Sequence, residues 1–280
     1  MSLTTLQRTL GAAEHHLSAF LMLGDPTPEL SADLAIAAVD AGASMLELGL
    51  PFSDPCADGP GIQASCRRAR AAGVSTDQAF EILAAIHAAR PEVSLNLLVY
   101  GNLVHVHGYA EFCRRSAEVG VSTLLVPDIP LEESTSLRAA IADHDLGHVS
   151  LVGPMTDVAR LRKLDDASSG FLYLAGYQGV TGRVAADTTP DASLRRTVAQ
   201  VRLPICLGFG ICQPEQVAAA FVAGARIVVV GSHLARSIEA SVEYGIDRDA
   251  VLHAFGAALA PLVAVPNELS NTQTGEARCS

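Results

Sequence analysis

Short apolar runs alternate along the chain with longer stretches of helical periodicity. The strand-length runs are Ala19–Leu23, Ser44–Leu48, Ser94–Tyr100, Ser122–Val126, His148–Val152, Gly170–Leu174, Ile205–Leu207 and Ile227–Val230. Several are apolar almost throughout, as parallel strands are when helices cover one face and a barrel interior the other. Between the first two, Leu30, Leu34, Ala37, Ala38 and Ala41 fall on one helical stripe, which Gly42 ends. Ala41-Gly42-Ala43, Val119-Gly120-Val121 and Ala223-Gly224-Ala225 each precede a strand, with glycine where a helix ends through left-handed backbone. Eight helix-to-strand units in 280 residues predict an α/β fold, a single-domain (β/α)8 TIM barrel over 1–265, rather than a doubly wound sheet. Ahead of it, Leu6, Leu10, Ala13 and Leu17 predict an amphipathic helix closing the barrel bottom. The polar, aperiodic stretch 266–280 predicts a disordered tail.

Charge narrows the choice of partners. The net charge of −11 repels phosphodiester backbones and anionic headgroups, so neither nucleic acid nor a membrane surface is expected to bind. No apolar run approaches the ~20 residues that cross a bilayer, and the N-terminal stretch lacks the pattern of a cleaved leader. A cytoplasmic enzyme or binding protein is expected. The six cysteines, irregularly spaced and without a C-x-x-C pair, are read as reduced thiols rather than a zinc site or disulfide framework.

Glu47 stands inside the otherwise apolar run Met45-Leu46-Glu47-Leu48-Gly49. A carboxylate buried there without a partner is costly, so it is either neutralised by a basic neighbour or poised, with a raised pKa, as a general acid. The loop that follows, Pro51 to Pro60, holds three prolines and two aspartates. Asp54 is read as a backbone-capping group, while Asp58, on a part of the loop able to fold over the barrel mouth, is open to either capping or chemistry. Gly179-Val180-Thr181-Gly182, Gly208-Phe209-Gly210 and Gly231-Ser232 follow the last three strands. Each alone reads as a turn; together they point to a phosphate monoester held by backbone N–H groups, with Ser232 as the N-cap of a short helix. The single lysine, Lys163, lies in a charged helical stretch, which disfavours a Schiff-base aldolase. His105-Val106-His107 makes a poor metal site, so no metal ligands are assigned. Acid–base work by Glu47 and Asp58 remains.

The run from Leu46 to Pro60, LELGLPFSDPCADGP, closely resembles the signature of the tryptophan synthase alpha subunit family. Supporting segments follow in family order: Leu23 to Pro26, Leu98 to Asn102, Val126 to Pro130, Gly179 to Gly182, Gly208 to Ile211, and Gly231-Ser232, so that the likeness spans about residues 18–260. The resemblance implies a cofactor-independent lyase that cleaves indole-3-glycerol phosphate to indole and glyceraldehyde 3-phosphate. By resemblance, Glu47 and Asp58 are catalytic, Tyr173 and Thr181 support them, and Phe20, Leu98, Tyr100 and Phe209 form or flank the indole pocket. Gly182, Gly210, Gly231 and Ser232 match phosphate-binding positions. The resemblance also implies a PLP-dependent beta subunit as partner in an α2β2 complex, contacted through Pro51 and Asp54. Met22 and the run Ala175 to Gln178 depart from the family pattern. A stand-alone indole-releasing lyase of a secondary pathway and an accessory barrel that activates a beta subunit are the alternatives. The related indole-glycerol-phosphate synthase depends on lysines absent here.

Overall fold

Along each strand successive side chains point to opposite faces, and here both faces find partners. The computed structural model describes residues 2–153, 155–175, 191–208, 210–243 and 245–276. Eight parallel strands close into a barrel in sequence order. They are β1 (His16–Met22), β2 (Met45–Gly49), β3 (Ser94–Leu98), β4 (Val121–Leu125), β5 (Gly147–Val152), β6 (Leu172–Ala175), β7 (Ile205–Gly208) and β8 (Ile227–Val230). Closure is made by β8 on β1, with Val229 opposite Ser18. Each apolar run in the sequence falls on one strand. The largest offset is at β1, which starts three residues before its run because His16 is buried with its ring bonded to the Ala13 carbonyl at 3.0 Å.

The helices are α1 (Ser2–Ala12), α2 (Pro28–Asp40), α3 (Pro60–Ala71), α4 (Thr76–Ala89), α5 (Gly101–His107), α6 (Tyr109–Glu118), α7 (Thr135–Asp143), α8 (Val158–Ala167), α9 (Asp191–Val198), α10 (Pro214–Val222), α11 (Ser232–Ser241) and α12 (Arg248–Glu276). One strand face, with Leu17, Ala19, Leu21, Leu46, Leu48, Leu95 and Leu97, packs with helix residues such as Leu34, Ala38, Leu83 and Ile86 into the outer core. The alternate positions, Phe20, Met22, Met45, Leu98, Leu125, Val149, Tyr173, Cys206 and Val229, fill the inner one. This two-sided burial explains why the strands read as near-continuous apolar runs. Gly42, Gly120 and Gly224 adopt φ of 112°, 81° and 104°, which L side chains rarely tolerate, and so mark the repeated exit from helix to strand.

Three details differ from the sequence reading. On α2 the buried stripe is Leu30, Ser31, Leu34, Ala35 and Ala38, with Ala37 half-buried and Ala41 exposed beyond the helix end. The leading helix stops at Ala12, so Ala13 lies outside it and Leu17 belongs to β1. The stretch 266–276, read as aperiodic, continues α12 to Glu276. That helix also contains one span, Arg248–Pro266, apolar and long enough to cross a membrane by length and composition. Its Val251, Phe255, Leu259 and Leu262 recur on one face and are buried in the outer core, which is the role the helix takes here.

α1 closes the N-terminal end of the barrel. The Leu3 N–H donates to the Asp145 carbonyl at 3.0 Å, and Leu6, fully buried, lies against Gly170, where an added Cβ would stand 3.2 Å from it. Leu6→Ala empties that space and is expected to cost about 2–4 kcal/mol in urea unfolding; a loss below about 0.5 kcal/mol would show that the plug contributes little.

Candidate active site

Glu47 projects from β2 into the barrel, where register places Phe20 of β1 on one side and Asn96 of β3 on the other. Asn96 does not neutralise it: its amide donates to the Leu46 carbonyl at 3.1 Å and accepts from Thr123 Oγ1 at 2.8 Å. From β6, the Tyr173 hydroxyl hydrogen-bonds to the Glu47 carboxyl, while Glu47 Oε1 has no partner among the described residues. Burial is the main cause of a pKa pushed up to about 8; the nearby Asp58 charge adds to it and the Tyr173 bond opposes it. Among the described residues no basic side chain is bonded to Glu47, so no ion pair with them explains its burial. Gly208 gives Tyr173 its room, since a Cβ there would come within 2.1 Å of the hydroxyl.

Asp58 ends the loop between β2 and α3, and its backbone carbonyl accepts from Gln63 Nε2 at 2.8 Å. Tyr100, directly before α5, donates its hydroxyl proton to Asp58 Oδ2 at 3.0 Å and accepts from the Ala57 N–H at 3.0 Å. Burial raises the Asp58 pKa to about 6 against the opposing Tyr100 bond. Both are raised, and the two carboxyls therefore titrate on opposite sides of neutrality. Between about pH 6 and 8, Glu47 holds its proton while Asp58 has lost its own.

Both groups line one cavity at the C-terminal mouth of the barrel. Phe20, Leu98, Ile62 and Val229 form apolar walls, and Gly210, Gly231 and Ser232 line it as well. Apolar walls with an acid and a base suit an aromatic substrate, and the first-turn N–H groups of α11, that of Ser232 among them, suit an anion. Of the positions expected from sequence, Glu47, Asp58, Tyr173, Phe20, Leu98, Gly210, Gly231 and Ser232 come together here. Tyr100 instead stands behind Asp58 as its hydrogen-bond donor. The N-cap of α11 is Gly231, not Ser232, which is already the first helical residue. Thr181, Gly182 and Phe209 lie outside the described residues. Pro51 is half-buried and Asp54 exposed on the outer side of the loop, away from the cavity lining. Gly208, from the Gly208-Phe209-Gly210 motif, lines the cavity too; Ile62 and Val229 do so without having been singled out, because apolar residues read as core in sequence.

A family model described as tryptophan synthase alpha chain matches residues 6–257. The chain belongs to the tryptophan synthase alpha chain family. The alpha chain of Pectobacterium atrosepticum is 42% identical over 240 residues, covering 84% of this chain and 88% of that one. Tryptophan synthase subunit alpha from Legionella pneumophila superposes with a TM-score of 0.84 at 30% identity, covering 94% of this chain and 98% of that one. A chain of the tryptophan synthase complex from Pyrococcus furiosus does so with 0.81 at 29%, covering 90% and 99%. Membership makes this tryptophan synthase alpha chain a lyase of tryptophan biosynthesis, catalysing the alpha reaction.

Two outcomes follow from the buried carboxyl. A group with a folded pKa of about 8 and an ordinary value of 4.5 contributes stability that is complete below the ordinary value and lost as pH rises through the folded one. Glu47→Gln cannot ionise and escapes that loss. Its unfolding free energy relative to the parent should rise between about pH 4.5 and 8, by up to about 4 kcal/mol; a difference flat with pH would contradict the raised pKa. Gly208→Ala drives a methyl into the Tyr173 hydroxyl, and indole release is expected to fall about 10- to 100-fold with the thermal midpoint little changed. Unaltered turnover would show that Tyr173 need not stand there.

Proposed function

We propose that the substrate is indole-3-glycerol phosphate, cleaved to indole and glyceraldehyde 3-phosphate by Glu47 and Asp58 as acid and base. The observation that carries this reading is the opposed protonation of the two carboxyls on one apolar-walled cavity. Protonated Glu47 donates to indole C3, and ionised Asp58 accepts the ring N–H bond and stabilises the positive charge that spreads onto nitrogen. The resulting indolenium is the electron sink. Glu47, now a carboxylate, takes the proton of the glycerol hydroxyl next to the ring; the carbon–carbon pair collapses into the indolenium, and the aldehyde forms. Glu47 ends protonated, as it began.

The phosphate is assigned to Gly210, Gly231, Ser232 and the first turn of α11, together with Gly182, and Thr181 is assigned to contact Asp58 when substrate is bound. Phe209 is assigned to the ring pocket. A PLP-dependent beta subunit in an α2β2 complex is the proposed partner. The Pyrococcus furiosus relative is a tryptophan synthase complex, and the outer side of the Asp58 loop, with Pro51 and Asp54, is the surface that would report its docking to the site. The protein is placed in the cytoplasm, where the thiols of Cys56, Cys66, Cys113, Cys206 and Cys212 are free.

The test is the pH dependence of kcat/KM for indole release by the isolated chain. A bell with limbs at about 6 and 8 is expected, since activity needs Asp58 ionised and Glu47 protonated. Asp58→Asn should remove the acidic limb and Glu47→Gln the basic one, each with a loss of about 10²- to 10⁴-fold. Turnover unchanged in either variant would remove that residue from the chemistry.

A further inference from the structure

The loop between β2 and α3 carries Asp58, yet the peptide groups of Phe52 make no backbone hydrogen bond among the described residues. Both are bonded to one side chain. The Phe52 N–H donates to Cys66 Sγ at 3.2 Å, and the Cys66 thiol donates to the Phe52 carbonyl at 3.0 Å. Cys66 lies on α3 with 2% of its surface exposed, so water is kept from replacing these bonds. Burial also pushes the thiol above its usual pKa, which keeps the proton it donates. The Phe52 ring stacks on that of Tyr100, centroids 5.0 Å apart and planes 21° from parallel. Tyr100 in turn holds both Asp58 Oδ2 and the Ala57 N–H. Thiol, peptide, ring, phenol and carboxylate are contiguous.

We propose, resting on the alpha-reaction mechanism above, that Cys66 is a positioning residue: by pinning the Phe52 peptide it seats the ring that orients Tyr100, and so fixes where the Asp58 carboxylate meets the substrate ring. Pro51, Pro55 and Pro60 stiffen the loop, but a stiff segment still pivots as a unit. α3 stops the pivot at two points, with Cys66 gripping Phe52 and Gln63 gripping the Asp58 carbonyl. Without the sulfur, the Phe52 end swings out, two peptide groups seek water, and water reaches Asp58.

Among the described residues the groups facing Asp58 are Glu47 from β2, Tyr100 directly before α5, Tyr173 from β6 and Cys66 from α3, with Arg67 and Arg70 acting on Cys66 from the same helix. Cys66→Ala removes no charge that Asp58 meets at neutral pH. A change in its titration therefore reports its position and solvation. Hydration lowers the midpoint and a weakened Tyr100 bond raises it; burial is the larger of the two influences on Asp58, so the net sign is downward.

The experiment follows the Asp58 carboxyl by 13C NMR, its signal identified by loss in Asp58→Asn, alongside kcat and KM for indole release, in the parent, Cys66→Ala, Cys66→Ser and Phe52→Leu. Cys66→Ala and Phe52→Leu are expected to lower the Asp58 midpoint by about half a pH unit or more and kcat by about tenfold, with KM held within about threefold. Cys66→Ser, which can both donate and accept, should restore most of each. Parent-like titration and kcat in Cys66→Ala and Phe52→Leu would overturn the proposal. So would a kcat loss with the titration unmoved, or a serine variant no better than alanine. If the parent releases no indole from indole-3-glycerol phosphate, the reaction assignment fails by itself, and the Asp58 midpoints still decide the role of Cys66.

Discussion

A carboxyl group held inside a barrel without a cationic partner among the described residues is the constraint on which this site is built. Ionising Glu47 in place is costly, so it keeps its proton up to about pH 8 and has one ready to give. Its neighbours are arranged to preserve that state. Asn96, next to it in register, is already engaged with Leu46 and Thr123, and Tyr173 reaches it only because Gly208 has no side chain. Asp58 is likewise shielded from water and given one tyrosine hydroxyl, with its pKa raised only to about 6. Glu47 starts from the higher ordinary value and is raised further by the neighbouring Asp58 charge, which divides acid from base.

The barrel supplies rigidity where this difference must be maintained and leaves the remainder to loops. Glu47 and Tyr173 stand on strands, locked by pairing on both sides. Asp58 stands on a loop and needs tethers, which come from Tyr100, Gln63 and the thiol of Cys66. A loop so tethered can transmit a displacement at its outer side, where Asp54 is exposed, to the carboxylate on its inner side.

Much of this was legible in the residues because parallel strands buried on both faces leave a repetitive trace. Each strand is an apolar run, three helix exits carry a glycine with positive φ, at Gly42, Gly120 and Gly224, and Glu47 interrupts its run conspicuously. What the trace conceals is polarity satisfied at a distance. His16 hid the start of β1 because its ring is satisfied by the Ala13 carbonyl just before the strand and by Ser44, 28 residues on. Tyr100 reads as a pocket wall until its hydroxyl is seen on Asp58, and Cys66 reads as an inert buried thiol until Phe52 is seen on both sides of its sulfur. Asp25, within the tight turn after β1, is buried against the Arg68 guanidinium with bonds of 2.7 and 2.8 Å, a pairing between residues 43 apart that no local pattern announces. The helical continuation past Pro266 was missed for a different reason, since polar composition alone argues for loss of order.

The protonation of Glu47 at neutral pH is the most direct point of test. An infrared difference spectrum between the parent and Glu47→Gln at pH 7 isolates the one carboxyl that differs. A protonated C=O stretch present at pH 7 and lost with a midpoint about 8 is expected. A carboxylate band at pH 7, persisting down to the ordinary glutamate value of 4.5, would contradict the assignment of Glu47 as the acid.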